Sequence, residues 1–358
     1  MRKSKCLFVT VLLLSFFGNA QNTSKFKIKG QVKFLNNKQI VVSNPVFFTD
    51  SLYCDGNVDS TTVSVRDNHF VVGYTAKYPT PFQFSYLEQI GNKRKVIVSD
   101  LLFSDGQNME ISLNKFSESP KINFLKKSQP NTEYNFIHSL YSYLESDTIS
   151  YKVNSATVIQ KDSIIADYVL THTDSYVALW ILILDYTRLG YNIYQNNALK
   201  LFSENIKSSK TYQYFEAKIA TEQMLQLGQV FPFRKLSFGS DIQNQIKNQK
   251  YTLIDFWASY CGPCIAEFPN LKTIYKTTSR NVFEIVLVAI NSNKDERMDD
   301  LLKENQIPWK NILDNNGSES KNVNIYGIPR NFILDSNGKI VGRDLTPVEI
   351  ATFLKEIK

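Results

Sequence analysis

YTLIDFWASYCGPCIAEFPNLKTIYKTT, residues 251–278, decides the fold of the last third of the chain. YTLIDFW is apolar at nearly every position, the texture of a strand covered on both faces. CGPCIAEFPNLKTIYKTT then reads as a helix that starts at the cysteines. FEIVLVAI follows as a second buried strand and DERMDDLLKEN as a second helix. After them come NFILD, then KIVGRDL across an Asn337-Gly338 turn, and a terminal helix TPVEIATFLKEIK. Strand, helix, strand, helix, hairpin, helix predicts a mixed α/β sheet with helices on both faces, beginning at Phe231-Pro232-Phe233.

Two other textures precede it. From Lys25 to about Asn114, short runs such as FKIKGQVKF, NHFVVGY, PFQFSYL and MEISL alternate with turn residues, including Asp67-Asn68 and Gly91-Asn92. Such runs without helical periodicity predict a small antiparallel β domain, a sandwich or partial barrel. Near Pro120 the period changes. SATVIQKDSIIADYVLTHT, SYVALWILILDYTRL and KTYQYFEAKIATEQMLQL place apolar residues three and four apart, with no proline between Asn131 and Val230. The expected division is a signal peptide over 1–20, a β-sandwich-like domain over 21–118, a helical linking domain over 119–228 and the mixed-sheet domain over 229–358.

The first twenty residues, MRKSKCLFVTVLLLSFFGNA, carry three cations before an apolar run from Leu7 to Phe17 and small residues at the end. That pattern is a secretory signal peptide cut after Ala20, and the run is short for a membrane span. Cys6 precedes the apolar run, so no lipid anchor is expected. Cleavage removes Arg2, Lys3 and Lys5 and no acid, which takes the formal charge from +7 to +4. So modest and scattered a charge gives no case for nucleic-acid binding. Of four cysteines in 358 residues, Cys54, Cys261 and Cys264 survive cleavage. Three cannot all pair within one chain, and Cys54 is read as a buried, inert thiol.

Cys261 stands where a buried strand hands over to a helix, whose first N–H groups are unpaired and carry partial positive charge. A thiolate there is stabilised, which lowers the thiol pKa and raises its reactivity at neutral pH. Cys264 is one turn on, close enough to attack a mixed disulfide on Cys261. Gly262 allows a tight start to the turn, and Pro263 occupies the first turn, where a missing N–H costs little. Two plainer readings compete with thiol–disulfide exchange. A zinc clip needs two more ligands, and the chain has no second Cys/His pair. A structural staple across so short a loop removes little entropy from the unfolded chain.

IDFWASYCGPCIAEFP resembles the active-site segment of the thioredoxins, and the resemblance covers about residues 229–358. With the signal peptide and the Asn291–Asn305 stretch, the chain is similar to secreted thioredoxins of the TlpA/ResA type, in the multidomain form common in Bacteroidetes-type bacteria. The resemblance implies Cys261 as the attacking thiol, Cys264 as the resolving one, and Asp255 as the buried acid that accepts the Cys264 proton. It places Trp257 and Tyr260 beside the pair, with Tyr260 replacing the usual tryptophan. Ile328-Pro329 matches an Ile–cis-Pro step whose backbone faces the cysteines and pairs with an extended substrate. Arg330 replaces a small hydroxyl residue, and a positive charge there would lower the Cys261 pKa or attract acidic substrates. Glu267 is read as a solvated helix residue.

The function expected is that of a periplasmic protein disulfide reductase, with no cofactor and no metal. Its partners would be disulfide-containing protein substrates and a membrane electron donor. A disulfide isomerase or a cytochrome c maturation factor is the alternative enzyme. An envelope protein that binds a ligand or senses redox state is the alternative of another class.

Overall fold

The protein is described from a computed structural model, over residues 24–356 except 36, 46–59, 105, 117–118, 145–154 and 292–294. The expected signal peptide and Cys54 lie outside the described residues. The chain forms two compact units. One holds residues up to Gly190 with Lys200–Tyr212, the other Tyr191–Leu199 with Gln213 onward.

The first unit opens with β1 (Ser24–Gln31), β2 (Gln39–Ser43), β3 (Thr61–Ser64), β4 (His69–Ala76), β5 (Thr80–Ile90), β6 (Lys93–Val98), β7 (Leu102–Ser104), β8 (Met109–Phe116) and β9 (Ser119–Phe124). They build one sheet in the order β4-β1-β8-β9 and another in the order β3-β2-β5-β6, with β7 on β5. Alternation does the work: in β4, Phe70, Val72, Tyr74 and Ala76 are buried, while His69, Val71 and Gly73 face solvent. The inward residues of both sheets share one core, in which Phe26, Phe82 and Tyr74 touch ring to ring. The expected antiparallel domain is present with one difference: β1 and β8 run parallel, because a long connection separates them in the chain.

Helices α1 (Gln129–Tyr141), α2 (Ser155–Val169), α3 (Tyr176–Leu189), α4 (Ile193–Leu201), α5 (Glu204–Lys207) and α6 (Lys210–Met224) follow. Helix α3 is apolar on every side from Tyr176 to Ile183 and is buried on every side. Ser175 caps it by accepting a bond from the Ala178 N–H at 2.9 Å, and Trp180 donates its indole N–H to the Pro79 carbonyl at 3.1 Å.

In the second unit, α7 (Gly239–Ile246) leads into β10 (Tyr251–Trp257), α8 (Gly262–Thr277), β11 (Phe283–Asn291), α9 (Glu296–Glu304), β12 (Lys310–Asn315), β13 (Arg330–Asp335), β14 (Ile340–Arg343) and α10 (Pro347–Glu356). The sheet order is β12-β11-β10-β13-β14, parallel at β10–β11–β12 and antiparallel beyond β10. Edge strand β12 was missed by periodicity, since only Ile312 and Leu313 of KNILDN are apolar and it sits against one buried neighbour. Phe268 and Leu271 of α8 and Ile350 of α10 pack on one face, with Leu253 and Trp257. Ile242 and Ile246 of α7 pack on the other, with Ile254 and Phe256. The period-2 rule therefore puts Asp255 on the α8 face.

Candidate active site

Cys261 is the N-cap of α8, with φ −87° and ψ 91°, and its sulfur accepts a bond from the Cys264 N–H at 3.2 Å. The two sulfurs are joined, at 2.00 Å. Cys261 is 7% exposed and Cys264 1%, so only the first offers an edge to solvent. The Cys264 N–H and the positive end of α8 favour the Cys261 thiolate once the bond is reduced.

Beneath the pair, β10 carries Asp255 on the same face as Trp257 and the cluster that holds both cysteines. Asp255 is buried between Leu287 of β11 and Asn331 of β13, and its Oδ1 accepts from no described residue. Burial lifts its carboxyl well above the ordinary carboxylate range, and the charge of Glu267 lifts it further. Trp257 is fully buried, stands edge-on to Phe268 at 5.1 Å, and donates its N–H to Asn311 Oδ1 at 2.9 Å. The unforeseen strand β12 thus supplies the partner of the site tryptophan. Tyr260, at 68% exposure, projects beside Cys261 with its hydroxyl 3.4 Å from the Ile290 carbonyl. The Ile328-Pro329 bond is cis; Ile328 is half-buried against both cores and Pro329 is exposed.

Residues 248–340 match the thioredoxin-like family. The sporulation thiol-disulfide oxidoreductase A of Bacillus subtilis (strain 168) is 32% identical over 120 residues, which span 33% of this chain and 72% of that protein. The chain belongs to the thioredoxin-like thiol–disulfide oxidoreductases. The thiol-disulfide oxidoreductase ResA of Bacillus cereus is 20% identical over 151 residues, 41% of this chain and 87% of its own. Among solved structures, the thioredoxin domain of a thiol-disulfide oxidoreductase from Bacteroides vulgatus is 25% identical and covers 32% of this chain and 82% of its own, with a TM-score of 0.29.

Three features of this oxidoreductase escaped the sequence reading. Glu267 is not a simple solvated residue: it is half-buried, burial raises its carboxyl, and it acts on Asp255. Its position three residues after Cys264, on the same helical face, was the available signal. Second, the loop from Trp257 to Cys261 is tied to the far end of β11. The Ser259 N–H donates to Asn291 Oδ1 at 3.1 Å, and Asn291 Nδ2 donates back to Ser259 Oγ at 2.8 Å. Ser259 Oγ donates to Asp295 Oδ2, and Asp295 also accepts from Asn291 and caps α9 through the Arg297 N–H. The Ser259 hydroxyl, foremost among these donors, holds the Asp295 carboxyl below its usual range.

Third, helix α6 holds the segment that carries the cis-proline. Asn324 donates to the Lys218 carbonyl at 2.7 Å, and the Lys218 ammonium contacts the Tyr326 hydroxyl and ring. Arg330 lies 3.7 Å from Glu222 and 3.4 Å from Asp344, and Arg343 bonds Glu222 at 2.9 Å. Two carboxylates, Glu222 and Asp344, therefore meet the charge of Arg330. Gly262 also differs from expectation. It lies in the helix with no left-handed φ, and a Cβ there would meet nothing within 4 Å, so the turn does not require glycine. Pro263 sits in the first turn as expected.

Proposed function

We propose that this oxidoreductase works in the cell envelope as an exported, TlpA/ResA-type reductase of protein disulfides. The Cys261 thiolate attacks one sulfur of a substrate disulfide; that S–S bond breaks and the first substrate thiolate leaves. Cys264 gives its proton to the Asp255 carboxylate and attacks Cys261 Sγ, releasing the second substrate thiolate. The substrate gains two electrons, the enzyme loses two, and the enzyme is left with the Cys261–Cys264 disulfide. A dithiol donor at the membrane restores the pair by the reverse exchange. Ile328 and Pro329 offer backbone to the substrate, with the exposed Tyr260 beside it, the buried Trp257 packed in the cluster that holds the cysteines, and Gly262 and Pro263 tuning the pair.

The observation that carries the reading is the asymmetry of the pair: an edge-exposed cysteine at a helix N-terminus and a buried one over a buried acid. The signal-like start of the chain supports export. The test is insulin reduction by the purified protein with dithiothreitol. Wild-type turnover is expected, with loss to background in Cys261→Ser and an accumulating mixed disulfide in Cys264→Ala. Turnover that survives Cys261→Ser rejects the assignment.

A further inference from the structure

In the first unit, helices α1, α2 and α3 and the segment after β6 line a cavity of about 400 Å³, inside the size range of small-molecule sites. Lys161 of α2 and Asp185 of α3 line it and form an ion pair at 3.0 Å, with side chains only 13% and 5% exposed. Withdrawing two charges from water is costly, and the attraction between them offsets this only when their remaining valences are filled. Here one valence is open. Asp185 Oδ1 accepts a hydrogen bond from the Lys161 ammonium, while Asp185 Oδ2 is buried and accepts from no described residue. Lys161 also lies 4.4 Å above the Tyr141 ring, and the rings of Tyr134 and His138 line the same cavity, with Arg188 exposed at its rim.

We infer that this cavity binds a neutral polyhydroxylated ligand, a sugar, whose hydroxyl donates to Asp185 Oδ2. An ammonium ligand at that oxygen would stand against the Lys161 charge, and an anion would stand against Asp185. A hydroxyl conflicts with neither, because it donates to the carboxylate and accepts from an ammonium or guanidinium at once. Tyr134 and His138, 6.0 Å apart between centroids, add flat surfaces for the C–H face of a sugar ring. The site is separate from the dithiol chemistry and stands whether or not that reading holds.

Isothermal titration and saturation-transfer NMR on the full chain test it, with D-galactose, D-mannose and N-acetyl-D-glucosamine as sugars and putrescine and sulfate as contrasts. Saturable binding of at least one sugar is expected, weakened about tenfold or more in Asp185→Asn and in Tyr134→Ala. Insulin reduction should be unchanged in both. Tyr134 is half-buried, so its variant serves if Asp185→Asn does not fold. No saturable sugar, sugar binding untouched by either variant, or binding of putrescine or sulfate instead overturns the inference.

Discussion

The guanidinium of Arg330 lies 3.7 Å from the carboxylate of Glu222, a residue of α6 that stands outside the family match. The charge next to Pro329 is therefore a paired one, with Asp344 as its second partner. Arg330→Thr should leave the pH midpoint of Cys261 thiolate absorbance within about half a unit of wild type. A fall or rise of more than about one unit would show that the pairing does not quench its field.

Glu222 is nearly buried, and burial raises its carboxyl although Arg343 opposes the shift. Glu222→Gln keeps the size but loses a charge-assisted bond, which should cost about 1.5–3 kcal/mol in urea unfolding. The same variant should raise KM for a protein substrate more than it lowers kcat, since Arg330 and the cis-proline segment lose an anchor. An unchanged KM would confine Glu222 to stability.

Asp255 titrates above its ordinary range, so the folded state keeps its proton where the unfolded chain has lost it. Stability then falls as pH rises from about 4 through the folded value. Asp255→Asn should raise Tm by a few degrees at pH 8, with no gain near pH 4. The same variant should slow resolution of the mixed disulfide by ~100-fold or more at neutral pH, as expected for a lost general base. A Tm gain equal at both pH values would contradict the raised carboxyl.

Asn291 joins Ser259 to Asp295 and is almost fully buried. Asn291→Ala strands the Ser259 N–H and should cost about 1–3 kcal/mol. Hydrogen exchange should rise in residues 258–261 ahead of the rest of β10; uniform exchange would mean the tie is not local.

Gly262 has an ordinary helical backbone and open space above it. Gly262→Ala should fold normally and gain up to about 1 kcal/mol, the helix propensity of alanine over glycine. Destabilisation of that variant would show that the reduced form needs a turn absent from the oxidised one.

Much of the second unit was legible because its signals are local: a run of apolar residues, a CGPC at a strand end, an Asn-Gly turn. Asp255 was legible too, as an acid in a strand that is apolar on both sides. What stayed hidden depends on pairing across the sequence. Lys218 and Glu222 look like ordinary helix charges until Tyr326 and Arg343 are brought to them, and Asn311 looks like a loop residue until it meets Trp257. The parallel β1–β8 pairing was equally invisible, since alternation fixes which face a residue takes and not which neighbour it finds.

The anchoring of Tyr326, Arg330 and Arg343 by α6 bears on where this enzyme can be cut. A fragment that began at residue 248 would lack Glu222, the aromatic pair Phe231 and Phe233, and the backbone bonds that Gly228, Gln229 and Phe231 make to the β14 hairpin. It would expose Phe332 and leave two arginines facing water where a carboxylate had been. The shortest piece able to stand alone therefore begins near Gln213, and a protease should spare the chain between there and Tyr251.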